Sequence, residues 1–276
     1  MTLQKLDRFD DAQTLAFDWR DKSPAMRRLY IALTGDLMRR ANAATMMSQE
    51  KVDAYAAIVT AEKSALGAQS IGWFMQNTQR YTQAVQWFET AISWTPDGKA
   101  DAKTNEGYAL ALKGAGRLEE AEAVTWAFLK SSPDMSKLYT LVVVEELTRD
   151  NPPKRIERER LANFVTLAAK ERSVNSAQAL GWYHHNLGEY EGSLAWFKSA
   201  VDWSPDGMGD AKMNEGYALA LKALHKLPEA EVVAWAWTPA SDDMRKLYET
   251  VVIEELTSEY PRYTLTKERL DRKSVV

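Results

Sequence analysis

Apolar residues recur along the chain at three- and four-residue intervals, the spacing of one face of a helix. Ala84, Trp87, Phe88, Ala91, Ile92 and Trp94 form one such stripe, and Pro96-Asp97-Gly98 closes it with turn chemistry. Ser132-Pro133-Asp134 reads as a helix start, with a hydroxyl cap, a first-turn proline and a first-turn acid. The pattern predicts one helix over Met135–Thr148, a break at Asn151-Pro152-Pro153, and a second helix over Arg155–Arg172. Proline in that break removes an amide donor and disfavours helix in the residue before it. Period-two alternation is missing and glycine falls mostly in turns, so the expected fold class is all-α.

The helical pattern repeats over a long period. Residues 71–161 overlay residues 180–270 at a shift of 109 without a gap, and 46 of the 91 pairs are identical. The strongest block runs from Asp101 to Lys113 and returns from Asp210 to Lys222. The same shift places residues 1–70 on 110–179 more weakly, with 15 identities in 70. Ser23-Pro24-x-Met26-x-x-Leu29-Tyr30 falls on Ser132-Pro133-x-Met135-x-x-Leu138-Tyr139. A period of 109 is about three helix–turn–helix repeats of roughly 34 residues, which predicts a stacked array of helical hairpins. The implied organisation is one continuous array: a partial first super-repeat over 1–70, a complete one over 71–179, and a truncated one over 180–276.

Against the helix–turn–helix repeats that have this period, residues 65–98 and 174–207 carry the expected marks. Ile71-Gly72 and Leu180-Gly181 supply the small residue at the helix crossing. Tyr81 and Tyr190 supply the aromatic at the turn. Phe88-x-x-Ala91 and Phe197-x-x-Ala200 follow, then Pro96 and Pro205, with Ser193 standing where the first copy has Ala84. Residues 102–133 and 211–242 match more loosely through Tyr108-Ala109, Leu112, Leu118 and Ala121, and through Tyr217-Ala218, Leu221, Leu227 and Ala230. In these residues the chain resembles the tetratricopeptide repeat superfamily. The resemblance implies a right-handed α-solenoid of seven or eight hairpins that holds protein partners. Shorter runs, Ala179-Leu-Gly-Trp-Tyr183, Ala195-Trp-Phe197 and Leu118-Glu-Glu-Ala-Glu-Ala123, are similar to tetratricopeptide scaffolds of bacterial exopolysaccharide export of the cellulose or alginate kind. That likeness implies a periplasmic location; without it the expectation is cytoplasmic.

Composition narrows the chemistry. Thirty-five basic and 39 acidic residues leave a formal net charge of −4, with no basic footprint for nucleic acid or anionic lipid. Cysteine is absent, which removes disulfides, thiolate metal sites and a cysteine nucleophile. The apolar runs Leu141–Val144 and Val232–Trp237 are far shorter than the ~20 residues of a membrane span. Three histidines give little material for a metal site. His184 and His185 are adjacent, so on a helix they point about 100° apart and cannot act as an i, i+4 ligand pair, and His225 is distant. The acid pairs Glu119-Glu120, Glu145-Glu146 and Glu254-Glu255 read as helix surface, as does the alternating run Glu157–Arg160. Phosphate loops, zinc-protease helices and nucleophile elbows are missing, so no catalytic residue, cofactor or metal is expected.

Ten tryptophans remain to be placed. Trp87, Trp94 and Trp126, with Trp196, Trp203 and Trp235, are expected between helices. Counting from the glycine–alanine crossing along the first helix of each pair, the resemblance implies a groove lined by Gln69, Trp73, Asn77, Lys103, Glu106 and Lys113. In the second copy it implies Gln178, Trp182, Asn186, Lys212, Glu215 and Lys222. Lysine and glutamate beside asparagine suit a polar or acidic peptide. Trp73 and Trp182 equally offer platforms for sugar rings, which leaves direct polysaccharide binding as the alternative. Residue 1 falls late in a first helix and residues 271–276 stop within a second. This predicts a piece of a longer protein that is able to self-associate through its cut ends.

Overall fold

The computed structural model describes residues 9–40 and 47–257, and the two ends discussed above lie outside them. Fourteen α-helices and no strand occur among the described residues, as the periodicity predicts. None of these helices is long and apolar enough to cross a membrane. The chain divides into two compact units, residues 1–142 and 143–276.

The first unit holds α1 (Phe9–Asp18), α2 (Pro24–Arg40), α3 (Gln49–Ala61), α4 (Ala65–Asn77), α5 (Tyr81–Ser93), α6 (Ala102–Gly114), α7 (Leu118–Ala127) and the first part of α8 (Pro133–Thr148). Helix α4 packs against α2, α5 and α6, so the first helices of successive hairpins stand beside one another. Tyr55, Ile71, Phe74, Phe88 and Leu112 are fully buried between them. Full burial of each such side chain contributes about 1.5–3 kcal/mol relative to exposure. The Tyr55 hydroxyl donates to the Ile31 carbonyl at 2.8 Å, so its polar end is satisfied inside the core.

The second unit continues through the remainder of α8, then α9 (Arg158–Glu171), α10 (Val174–Asn186), α11 (Tyr190–Trp203), α12 (Ala211–Ala223), α13 (Leu227–Trp237) and α14 (Asp242–Thr257). Helix α10 packs on α11 and α12, and α13 packs on α12 and α14. Helix bounds repeat at the 109-residue shift: α4 begins at 65 and α10 at 174, α6 at 102 and α12 at 211, α8 at 133 and α14 at 242. The faint match of the first seventy residues also appears in the bounds, since α2 and α3 begin at 24 and 49 and α8 and α9 at 133 and 158.

Capping explains why these registers recur. Ser64 accepts from the Gly67 amide and Ser173 from the Ser176 amide. Asp101 accepts from Thr104 at 2.7 Å, and Asp210 from Met213 at 2.8 Å. Ser132 accepts from the Met135 amide at 3.1 Å, in the role its sequence context predicts. Helix α9 starts at Arg158, three residues later than expected from Arg155. The delay follows from local bonding: the Ile156 amide donates to the Tyr183 hydroxyl and Arg155 pairs with Glu189, which holds this stretch against α10.

The small residue at the helix crossing has a steric cause. A Cβ on Gly72 would meet the Phe88 ring at 3.0 Å, and on Gly181 the Phe197 ring at 2.9 Å. Each phenylalanine is fully buried against that bare backbone.

Candidate functional site

The sequence places twelve residues on one face, and the structure sorts them. In the first unit, the Trp73 indole projects from α4 and meets Phe88 at 86° with ring centroids 5.5 Å apart. The Lys103 ammonium, from α6, lies 5.0 Å from the indole centroid and bonds Glu106 at 2.8 Å. Lys103 is 62% exposed and Glu106 19%. The second unit reproduces this cluster. Trp182 meets Phe197 at 82° and 5.0 Å, Lys212 sits 5.0 Å from the indole centroid, and Lys212 bonds Glu215 at 2.9 Å. An ammonium over an indole face gains about 0.5–1 kcal/mol at an exposed site, enough to bias the lysine toward this position.

The flanking residues behave differently. Gln69 is only 8% exposed. Its amide donates to the Thr104 hydroxyl at 2.7 Å and to Asp101 at 3.3 Å, so it bridges α4 to α6 and is no longer open to a ligand. Gln178 is half-buried, and Met213 stands where Thr104 stands in the other copy, which takes the hydroxyl acceptor away. Asn77 is exposed and donates to the Arg39 carbonyl of α2, while Asn186 is half-buried. Lys113 and Lys222 lie a further two to three turns along α6 and α12, and Lys222 pairs with Glu254 of α14 at 2.8 Å. The cluster that the structure brings together is therefore tryptophan, lysine and glutamate, with asparagine at its edge.

Asn105 and Asn214 belong to the scaffold. Each donates twice to carbonyls of the preceding turn, Asn105 to Ala100 and Asp101 and Asn214 to Met208 and Asp210. Among the other tryptophans, Trp87, Trp94, Trp196, Trp203 and Trp235 pack partly buried against the cores. Trp126 departs from expectation: it is 42% exposed, although its ring lies 5.3 Å from that of Tyr139. It sits late in α7, where the indole covers the tyrosine from outside and is not itself enclosed.

His184 and His185 are occupied by structure. His184 and Glu189 share a 2.7 Å hydrogen bond, and Arg155 binds the same carboxylate at 2.8 Å. These two partners, His184 first, hold the Glu189 carboxyl below its usual range. His185 lies between the Trp182 and Tyr190 rings, and burial lowers its tendency to take a proton. His225 sits in the α12–α13 turn at φ 55°. Among the described residues no group of three or more metal-ligating side chains forms. Arg160 bonds Glu146 at 2.6 Å with both largely covered, so part of the Glu157–Arg160 run is an inter-helix tie and not a solvated face.

One concavity escaped the sequence reading. A cleft of about 850 Å³ opens in the first unit between α1, α2 and α3, with Gln13, Phe17, Tyr30, Leu37 and Lys51 in its lining. Its mixed lining has no spacing that would mark it in sequence. The one arginine there, Arg40, already pairs with Asp36 at 2.8 Å.

In both units the first helices of adjacent hairpins present polar side chains on one side. A family model described as tetratricopeptide repeat matches residues 69–97 and 174–206, so the chain carries tetratricopeptide repeats at both places. Each match spans the tryptophan of one cluster and the second helix that supports it. Repeats of this family hold protein partners and are generally non-catalytic. No curated protein matches the chain.

Proposed function

We propose that the chain is a non-catalytic scaffold that holds a partner protein through a polar, acidic peptide segment seated on the lysine–tryptophan–glutamate face of α4–α6 or of α10–α12. The observation that carries this reading is the exposed lysine poised over a tryptophan, with a glutamate beside it, in both copies. A peptide carboxylate can take the ammonium from its glutamate while the indole edge contacts the peptide's apolar atoms. Each exposed Lys–Glu pair is worth ~1 kcal/mol or less, so exchanging it for a ligand carboxylate costs little.

The same geometry weighs against the polysaccharide alternative. A sugar ring stacks on an open indole face, and here the ammonium occupies that face while Phe88 or Phe197 closes the buried side. The exopolysaccharide and periplasmic setting rests on short-motif likeness alone and has no counterpart in the site's chemistry.

The test is site-directed photocrosslinking in cells, with a benzophenone amino acid at Asn77 or Asn186 and a control at Gln86 on the outer helix α5. Adducts to a defined acidic segment at the first two positions, absent at Gln86, are expected. Equal labelling at all three, or none, would refute a binding face there. Soluble β-glucan and alginate oligosaccharides should leave the tryptophan fluorescence unchanged, and a saturable shift would restore the sugar reading.

A further inference from the structure

The two copies have drifted unevenly: exposed positions of α5 have changed, whereas those of α6, and exposed pairs of α8 and α14 such as Asp134/Asp243 and Lys137/Lys246, are kept. Four positions of α5 are exposed, Thr82, Gln83, Gln86 and Glu89. Their counterparts in α11 are Glu191, Gly192, Ala195 and Lys198, so none of the four is kept. Even Glu89, which accepts from the Tyr108 hydroxyl at 3.1 Å, is not kept, and Lys198 bonds Asp202 in its place. Helices α6 and α12 contrast with it, differing at only two of their thirteen positions, Thr104/Met213 and Gly114/Ala223. Burial accounts for Asn105, Gly107, Ala109 and Leu112. It does not account for Lys103 and Lys212, which are 62% and 61% exposed.

Helices α4 and α10 sharpen the point, because most of their positions have changed. Only five of thirteen are shared: Ala68/Ala177, Gln69/Gln178, Gly72/Gly181, Trp73/Trp182 and Asn77/Asn186. The alanine and glycine are buried, and Gly72 and Gly181 seat the phenylalanines of the helix crossing. Of the other three, Gln69 and the two tryptophans meet residues of α6 or α12, and Asn77 meets α2. Buried Met75 and half-buried Gln76 became His184 and His185, and Ala84 became Ser193, so even the interior changed more than this face. Each cluster also lies within one compact unit, and so each is complete without the other.

We propose that the chain is divalent: each 109-residue copy binds one equivalent of the same acidic peptide element, so that one chain gathers two. This rests on the partner-binding reading above and adds the number and equivalence of the sites. Both copies keep the tryptophan, lysine and glutamate in the same geometry, so each is equipped to bind what the other binds.

The test uses a phage-displayed random peptide library panned separately on the Lys212→Glu and Lys103→Glu chains, each of which retains one intact cluster. Both substitutions are on exposed side chains, and circular dichroism melts verify that the fold survives. The same acidic consensus should emerge from both pannings. The synthetic consensus peptide, titrated by calorimetry, should bind with a stoichiometry of two on the unmodified chain, one on either variant and none on the double variant. Unrelated consensus sequences, or a stoichiometry of one on the unmodified chain, would overturn divalency and leave the scaffold reading standing. If no peptide is enriched on the unmodified chain or on either variant, both readings fall.

Discussion

Helices α4–α6 and α10–α12 are two solutions to one packing problem, and their differences separate what the fold needs from what it carries. Both bury a phenylalanine against a bare glycine crossing and set an indole edge-to-face beside it. They diverge in how hairpins are tied. The first copy bridges α4 to α6 with the Gln69 amide on Thr104, and the second has Met213 at that position. At the N-cap of the second helix, the first copy uses Arg80, which reaches Gln49 of α3 at 3.0 Å. The second copy uses Glu189, which binds His184 and Arg155. Residues of opposite charge thus fasten the same cap position in the two copies, each to different partners. The lysine–tryptophan–glutamate face is unchanged through all of this.

The comparison can be broken most severely at its shared core. Phe88→Ala and Phe197→Ala should each destabilise the unit that contains them by about 3–5 kcal/mol, read from urea unfolding curves. If only one does so, the two crossings are not equivalent. Next comes the tie peculiar to the first copy. Thr104→Met installs the second copy's residue and removes the buried acceptor of Gln69, and it should cost about 1–3 kcal/mol in the same measurement. A null effect would mean that Asp101 alone satisfies the amide.

A smaller contrast lies in the turns. Gly116, at φ 76°, closes α6–α7, and His225, at φ 55°, closes α12–α13. A left-handed conformation favours glycine, so His225→Gly should stabilise the second copy by ~1 kcal/mol and Gly116→His should destabilise the first by a similar amount. The smallest expected effect depends on pH. Burial lowers the His185 pKa from 6.5, so the folded state favours the neutral ring. Its contribution is complete above the unfolded value and is lost as pH falls through that value toward the lower folded one. The first copy has Gln76 in this position and lacks that slope. His185→Gln should therefore flatten the decline of the thermal midpoint between about pH 7 and pH 5. An unchanged slope would place the acid sensitivity elsewhere.

Much of the fold was legible because it is written locally. Apolar stripes at helical spacing, Ser132-Pro133, and the 109-residue identity each fix a helix or a register from neighbouring residues alone. The site was legible in part. Trp73, Lys103 and Glu106 and their counterparts do converge, since counting along a helix predicts which side chains share a face. Counting could not show that Gln69 turns away to Thr104, because that depends on the distance between α4 and α6. The late start of α9 was hidden for the same reason: it depends on the Tyr183 hydroxyl, twenty-seven residues further along the chain. The cleft between α1, α2 and α3 arises from the angles of three helices and leaves no periodic trace.

The central claim is that the shared face, and not the drifted one, binds the partner. It is tested most directly by exchanging the four exposed α5 residues for those of α11 in one variant and reversing Lys103 and Lys212 to glutamate in another. Binding of the partner segment identified by crosslinking is then measured by calorimetry. The account predicts unaltered affinity for the α5 exchange and loss of binding for the double reversal. Loss of affinity on the α5 exchange, with binding retained by the reversed lysines, would contradict it.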